Sequence, residues 1–198
     1  LLAKALAHRL LQCLCHKYFL EVCAMTTARS ETRSKSTQFS NSKASNSKAP
    51  HDAIALLIAD HRKVEGLFKQ YEDARGSFKK VDIAKSICDE LTVHAAIEEK
   101  GFYPQAKEAL GDEADLVSEA VVEHSSLKWL IAQIKTEAPN SELYDAKVKV
   151  LEEYVKHHVK EEEKEMFPKI KKSNLDIVAL LDELQTLKRQ FTQKLVQN

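Results

Sequence analysis

The 198-residue chain contains only four glycines and four prolines. A sandwich or barrel of many short strands needs such turn formers at regular intervals, so their scarcity excludes that class and leaves helices. Cysteine is equally sparse: Cys13, Cys15 and Cys23 stand near the start and Cys88 stands alone in the rest. No disulfide can close within the body, which argues against a small stapled secreted domain. Cys13, Cys15 and His16 lack a second ligand pair and read as part of an apolar leader rather than a metal site. Long apolar runs are missing too, since Lys4, Arg9, Lys17 and Glu21 interrupt the opening stretch before it reaches the roughly 18 residues of a membrane span. Charge of one sign is also lacking, with 30 Lys and Arg against 30 Asp and Glu. That balance removes the bulk attraction to nucleic acid or an anionic membrane, and neither is expected as a partner.

The zero hides an asymmetry. Residues 1–50 carry 8 basic and 2 acidic side chains, ahead of a mildly acidic body. Residues 26–50 are dominated by Ser, Thr, Asn and Lys, with Phe39 their single large apolar residue, so they read as a disordered linker behind a basic leader. Met25 is a candidate start. A cytoplasmic location is expected, with a transit peptide within residues 1–50 as the alternative.

From residue 51 the apolar residues recur at helical spacing. Ile54, Leu57, Ile58, His61, Val64 and Phe68 form one stripe, with Gly76 as its stop. Ile83, Ile87, Leu91, His94 and Ile97 form a second, which Gly101 and Pro104 are expected to break. Val117, Val121, His124, Leu127 and Ile131 make a third, ending near Pro139. The fourth runs from about Ser141 through Leu151, Val155, His158 and Phe167 to Lys172, and a fifth helix is expected over 174–196. The economical fold is all-α: an up-down-up-down four-helix bundle over 51–172 with an additional C-terminal helix over 173–198.

The body carries an internal duplication. HAAIEEKGFYP at 94–104 matches HVKEEEKEMFP at 158–168, and ADHRKVEGLFKQ at 59–70 matches VEHSSLKWLIAQ at 122–133 more weakly. Four histidines therefore recur, one per helix. Ile58, Leu91, Val121 and Val155 precede them by three residues, and Ile54, Ile87, Val117 and Leu151 by seven, so each imidazole is expected on its helix's core face. Buried imidazoles and carboxylates without partners are costly, and a metal centre would satisfy them. The carboxylates come from His94-x-x-x-Glu98 and His158-x-x-x-Glu162, where i,i+4 spacing stacks both side chains on one face. Four imidazoles and two carboxylates suit two metals, each with two histidines and both bridged by the carboxylates. Oxygen and nitrogen donors with open positions favour non-haem iron, with manganese second. A closed zinc site and thiolate-bound clusters do not fit this donor set. The Glu-x-x-His pattern of ferritin-like centres is absent.

These motifs, with DAIALLIADHRKVEGLF at 52–68 and HHVKEEEKEMFP at 157–168, resemble the hemerythrin-like, or HHE cation-binding, domains. The resemblance covers about residues 51–172. It implies four antiparallel helices around a bridged di-iron centre, with His61, His94, His124 and His158 as ligands and Glu98 and Glu162 bridging. Two departures stand out. Oxygen-carrying hemerythrins have a fifth histidine where this chain has Lys128, and their last motif spaces the acidic ligand five residues after the histidine, as His157 and Glu162 would. The internal repeat favours His158, and His157, with Tyr154 three residues before it, is the alternative.

The functional expectation is a di-iron protein that binds or reacts with dioxygen, peroxide or nitric oxide, as sensor or detoxifier. Reversible oxygen storage is the second reading, and an iron-responsive interaction module, with no partner named by the residues, is the third. Glu65 and Lys128, one turn after the first and third histidines, either pair on the open side of the centre or snorkel separately to solvent.

Overall fold

A computed structural model describes residues 49–197. The leader, the linker, the Met25 start and the Cys13, Cys15, His16 cluster lie outside those residues, apart from Ala49 and Pro50 at the linker's end.

Helix α1 spans Ala53–Asp73 and starts on Asp52, whose carboxylate accepts from the Ala55 amide at 2.7 Å. Gly76, at φ 89°, turns the chain into α2, Ser77–Ile97. Gly101 and Pro104 do not break this helix as the sequence suggested. It widens instead into a π-helical turn over Glu98–Phe102 and continues as α3, Tyr103–Leu110. The wider turn provides the slack: the Tyr103 amide reaches the Glu98 carbonyl five residues back, and Pro104, which has no amide hydrogen to offer, follows in the first turn of α3. Gly111, at φ 55°, closes that segment before α4, Asp115–Thr136. Ser141 caps α5, Glu142–Glu161, which repeats the device with a π-helical turn over Glu162–Met166 and a short α6, Phe167–Ile170. The last helix, α7, begins at Ala179 rather than at 174. Asp176 accepts from the Val178 and Ala179 amides there, and the preceding Ile177 carbonyl is taken by the Ala53 amide at the head of α1.

The bundle alternates in direction. Ile54 at the start of α1, Ile97 at the end of α2, Val117 at the start of α4 and Ile170 in α6 all belong to one apolar cluster at one end of the molecule. Phe68, Ile87, Ile131 and Leu151 belong to a second cluster toward the other end. Each of the four motif histidines lies in sequence between residues of the first cluster and residues of the second, so a polar layer is sandwiched between two apolar ones. One expected stripe residue departs from the core: Val121 is 42% exposed, and Ala120, four residues before His124, takes its place. A one-residue step turns a side chain by about 100°, so i−3 and i−4 flank the buried face and either can fill it. Leu180 and Leu184 of α7 are buried with the first cluster. Gly101 makes that docking possible, since a Cβ there would lie 2.5 Å from Leu184 Cδ2 and 2.9 Å from Leu187 Cδ1. No described helix is long and apolar enough to cross a membrane.

Candidate metal centre

All six residues singled out from the sequence converge on the polar layer. His61, His94, His124 and His158 are buried, and Glu98 and Glu162 are sealed at 0% and 1% exposure. Their donor atoms fall into two groups that share Glu98: His61, His94, Glu98 and Glu162, and His124, His158 and Glu98. Nε2 of His61 lies 3.1 Å from Nε2 of His94, and Nε2 of His124 lies 3.1 Å from Nε2 of His158. Glu98 turns one oxygen to His94 at 3.2 Å and the other to His124 at 3.3 Å, so it spans both groups. Glu162 places Oε2 3.3 Å from His61 and 3.7 Å from His158. His157, the alternative in the last motif, is 62% exposed and points away from the layer.

The local backbone explains why both carboxylates arrive together. Glu98 and Glu162 each open a π-helical turn, one turn after His94 and His158, and the widened helix carries them inward. Such turns are rare and concentrate at functional sites.

Four further carboxylates, not singled out from the sequence, stand behind the histidines. His61 Nδ1 pairs with Glu163 at 2.8 Å, His158 Nδ1 with Glu123 at 2.8 Å and His124 Nδ1 with Glu99 at 3.1 Å, while Asp60 faces His94 Nδ1 at a looser 3.8 Å. A carboxylate on Nδ1 holds the proton there and leaves the Nε2 lone pair facing inward, which is the arrangement a metal-binding histidine requires. The signal was present in the repeat. Asp60 and Glu123 each precede a histidine, and Glu99 and Glu163 each follow a carboxylate, at the same offsets in both halves. What helix periodicity could not show is that these neighbours reach across to a different helix.

Beyond three of these carboxylates stand fixed cations: Lys188 on Asp60, Lys128 on Glu99 and Arg62 on Glu163. Glu65 and Lys128 therefore do not pair with each other. Glu65 meets Arg62 at 2.6 Å, Lys128 meets Glu99 at 2.6 Å, and both are about half exposed. The repeat is also broken inside the site. Tyr103 donates to Glu162 Oε1 at 2.9 Å and lies 3.3 Å from His124 Nε2, whereas its counterpart Phe167 only stacks on His61 at 6.0 Å.

The site's electrostatics ask for cations. Six carboxylates face three fixed positive charges, and both oxygens of Glu98 and Oε2 of Glu162 are buried without a hydrogen-bond partner. Burial, and then the neighbouring Glu162, push the Glu98 carboxyl well above the usual range. Glu162 is held down to about 2, the charges of His158 and His61 outweighing its own burial. Burial also pushes His94 down to about 4, which keeps its imidazole neutral and its lone pair available. The donor separations match the chemistry. Donors sharing one first-row ion at bonds of roughly 2.0–2.2 Å stand about 3.0–3.5 Å apart. Facing Nε2 atoms at 3.1 Å need either a shared proton or a common cation between them. The residues present therefore fit two cations, one in each group.

Residues 52–170 match the family described as the hemerythrin HHE cation-binding domain. A protein of Nostoc sp. named DNA nickase is 32% identical over 116 residues, which make up 59% of this chain but only 32% of that relative, so the chain spans about a third of its length. A crystal structure of an HHE cation-binding domain-containing protein from Mycobacterium kansasii superposes with a TM-score of 0.62 at 20% identity, covering 72% of this chain and 88% of that one, and it supports the fold. With its matched segment spanning the whole bundle and every histidine of the polar layer, the chain belongs to the hemerythrin HHE cation-binding family.

Proposed function

We propose that the chain holds two non-haem iron ions in this layer and uses them to bind or react with dioxygen, peroxide or nitric oxide, in sensing or detoxification. The observation that carries the reading is the pairing of the histidines, His61 with His94 and His124 with His158, joined by the two oxygens of Glu98. On this reading His61, His94, His124 and His158, with Glu98 and Glu162 between the two groups, would hold the metals. Two iron(II) ions, when bound, supply the two electrons that reduction of a small oxidant requires.

The chain's own residues set the conditions for that chemistry. Glu99, Glu123 and Glu163 orient three of the imidazoles, and Asp60 faces the fourth, His94, at 3.8 Å. Tyr103 holds Glu162 through a hydroxyl that donates a proton-bearing bond within the layer. Val64, Leu91, Leu127, Ile131, Val155 and Val159 wall a cavity of about 20 Å³ beside the four histidines, room for a water-sized or diatomic molecule and little more. Lys128, where oxygen carriers place a fifth histidine, is committed to Glu99, so among the described residues no further imidazole joins the His124 and His158 group. That openness favours onward reaction over reversible storage.

A second reading, an iron-responsive interaction module, draws on Lys188: it connects α7 to Asp60 and so to His94, which gives metal occupancy a route to the C-terminal helix.

The test is anaerobic iron loading of the full chain, followed by metal analysis and an absorption spectrum on admitting air. Two irons per chain and an irreversible spectral change are expected. A colour that returns on evacuation would favour storage, and one tightly held zinc with no iron taken up would overturn the di-iron reading.

A further inference from the structure

The outer shell of the buried layer is not uniform. Asp60, Glu99 and Glu163 each rest on a fixed cation, but the fourth carboxylate, Glu123, does not. Among the described residues neither Glu123 nor Glu161 pairs with a lysine or arginine; both face the exposed imidazole of His157 instead. His157 Nε2 stands 3.3 Å from Glu123 Oε1 on α4 and 3.2 Å from Glu161 Oε1 one turn along α5. All three donor atoms lie within 4.8 Å of one another.

We infer that His157, Glu161 and Glu123 form a second, surface site for one divalent cation, separate from the buried layer. The two separations from His157 are those of donors sharing one first-row ion, about 3.0–3.5 Å. Two of the three ligands are fixed at i,i+4 on one helix and the third on its packed neighbour, so binding orders little new backbone. Two carboxylates supply two negative charges for a double positive one. An imidazole among them selects zinc, nickel, cobalt or iron(II) over calcium, which asks for six to eight oxygens. Water completes the shell, since His157 and the faces beside it are open.

Glu123 gives the site its place in the molecule. Its Oε1 faces His157 while its Oε2 accepts from His158 Nδ1 at 2.8 Å, so one carboxylate belongs to both sites. A surface ion fixes Glu123 from outside, as Lys128 fixes Glu99 from outside the His124 imidazole.

The test is calorimetric titration of the full chain, as purified and with its buried metal content measured, using Zn²⁺. His157→Ala and Glu161→Gln are run alongside. Both changes lie on an exposed face and leave the core untouched. The wild type should take up one ion more than either variant, or hold it about 10-fold or more tightly. The metal content retained after dialysis against a weak chelator should be the same in all three. A zinc-edge anomalous map of soaked crystals should show a peak between His157 and Glu161. Equal uptake and affinity in all three proteins would overturn the site, as would loss of the buried metal in the variants. Neither result depends on which metal fills the buried layer.

Discussion

Lys188, on the last helix, is ion-paired to one oxygen of Asp60, and the other oxygen of Asp60 faces His94 Nδ1 at 3.8 Å. The C-terminal helix thus reaches a histidine of the polar layer through a single carboxylate. Asp60→Asn should weaken metal retention by about 10-fold or more, because the negative charge facing the His94 imidazole is lost. Lys188→Ala should act in the same direction but less, leaving Asp60 in place without its counter-charge. Competition with a chelator followed by metal analysis gives both numbers, and circular dichroism checks that α7 remains helical. Unchanged retention in Asp60→Asn would remove Asp60 from any role at the centre.

His158→Ala should strip metal from the layer, whereas His157→Ala should leave the buried content intact, because the first side chain is 3% exposed and the second 62%. Metal analysis of the dialysed variants decides it. The reverse ranking would place the buried ligand one residue earlier, about 100° round the helix from where the structure puts it.

Gly101→Ala should destabilise the chain by about 1–3 kcal/mol, since the new Cβ meets Leu184, which is fully buried and has nowhere to move. Gly66→Ala is the control. Nothing lies within 4 Å of its new Cβ, and it should stabilise α1 by about 0.5–1 kcal/mol through helix propensity. Urea unfolding of the two variants measures the contrast.

Tyr103→Phe copies the residue at the equivalent position of the second half of the repeat, Phe167, and should keep the fold and the bound metal. It removes the hydroxyl from Glu162 Oε1, a buried bond whose loss costs about 1–2 kcal/mol. On the proposed function, the oxidised-state spectrum or its lifetime should also change, because Glu162 is then free to rotate. An identical spectrum, lifetime and unfolding midpoint would reduce Tyr103 to packing.

Burial pushes the Cys88 thiol up to about 11, and its side chain is 1% exposed. Thiolate is the reactive form, so at pH 8 the folded chain should leave Cys88 unmodified by iodoacetamide. The protection should vanish on unfolding in urea, as followed by mass spectrometry of the peptide that carries it. Rapid modification under native conditions would show that the second apolar cluster opens far more readily than its packing implies.

The helical class, the alternation of four stripes and the six residues of the polar layer are legible in the order of the residues. Those signals are periodic and duplicated, and periodicity reports which face of a helix a residue occupies. His61, His94, His124 and His158 were legible because apolar neighbours one and two turns away marked their face. Tertiary structure decided the rest. It buried His158 and left His157 exposed, carried the helices through Pro104 and Pro168 on π-helical turns, and set Ala120 in the core where Val121 was expected. It also placed Asp60, Glu99, Glu123 and Glu163 behind imidazoles of other helices, and sent Lys128 and Glu65 to different partners. The reason is common to all of these. A side chain's own helix sets its direction, but which neighbour it meets depends on how the helices are turned against one another, and that orientation comes from the packing of the whole bundle.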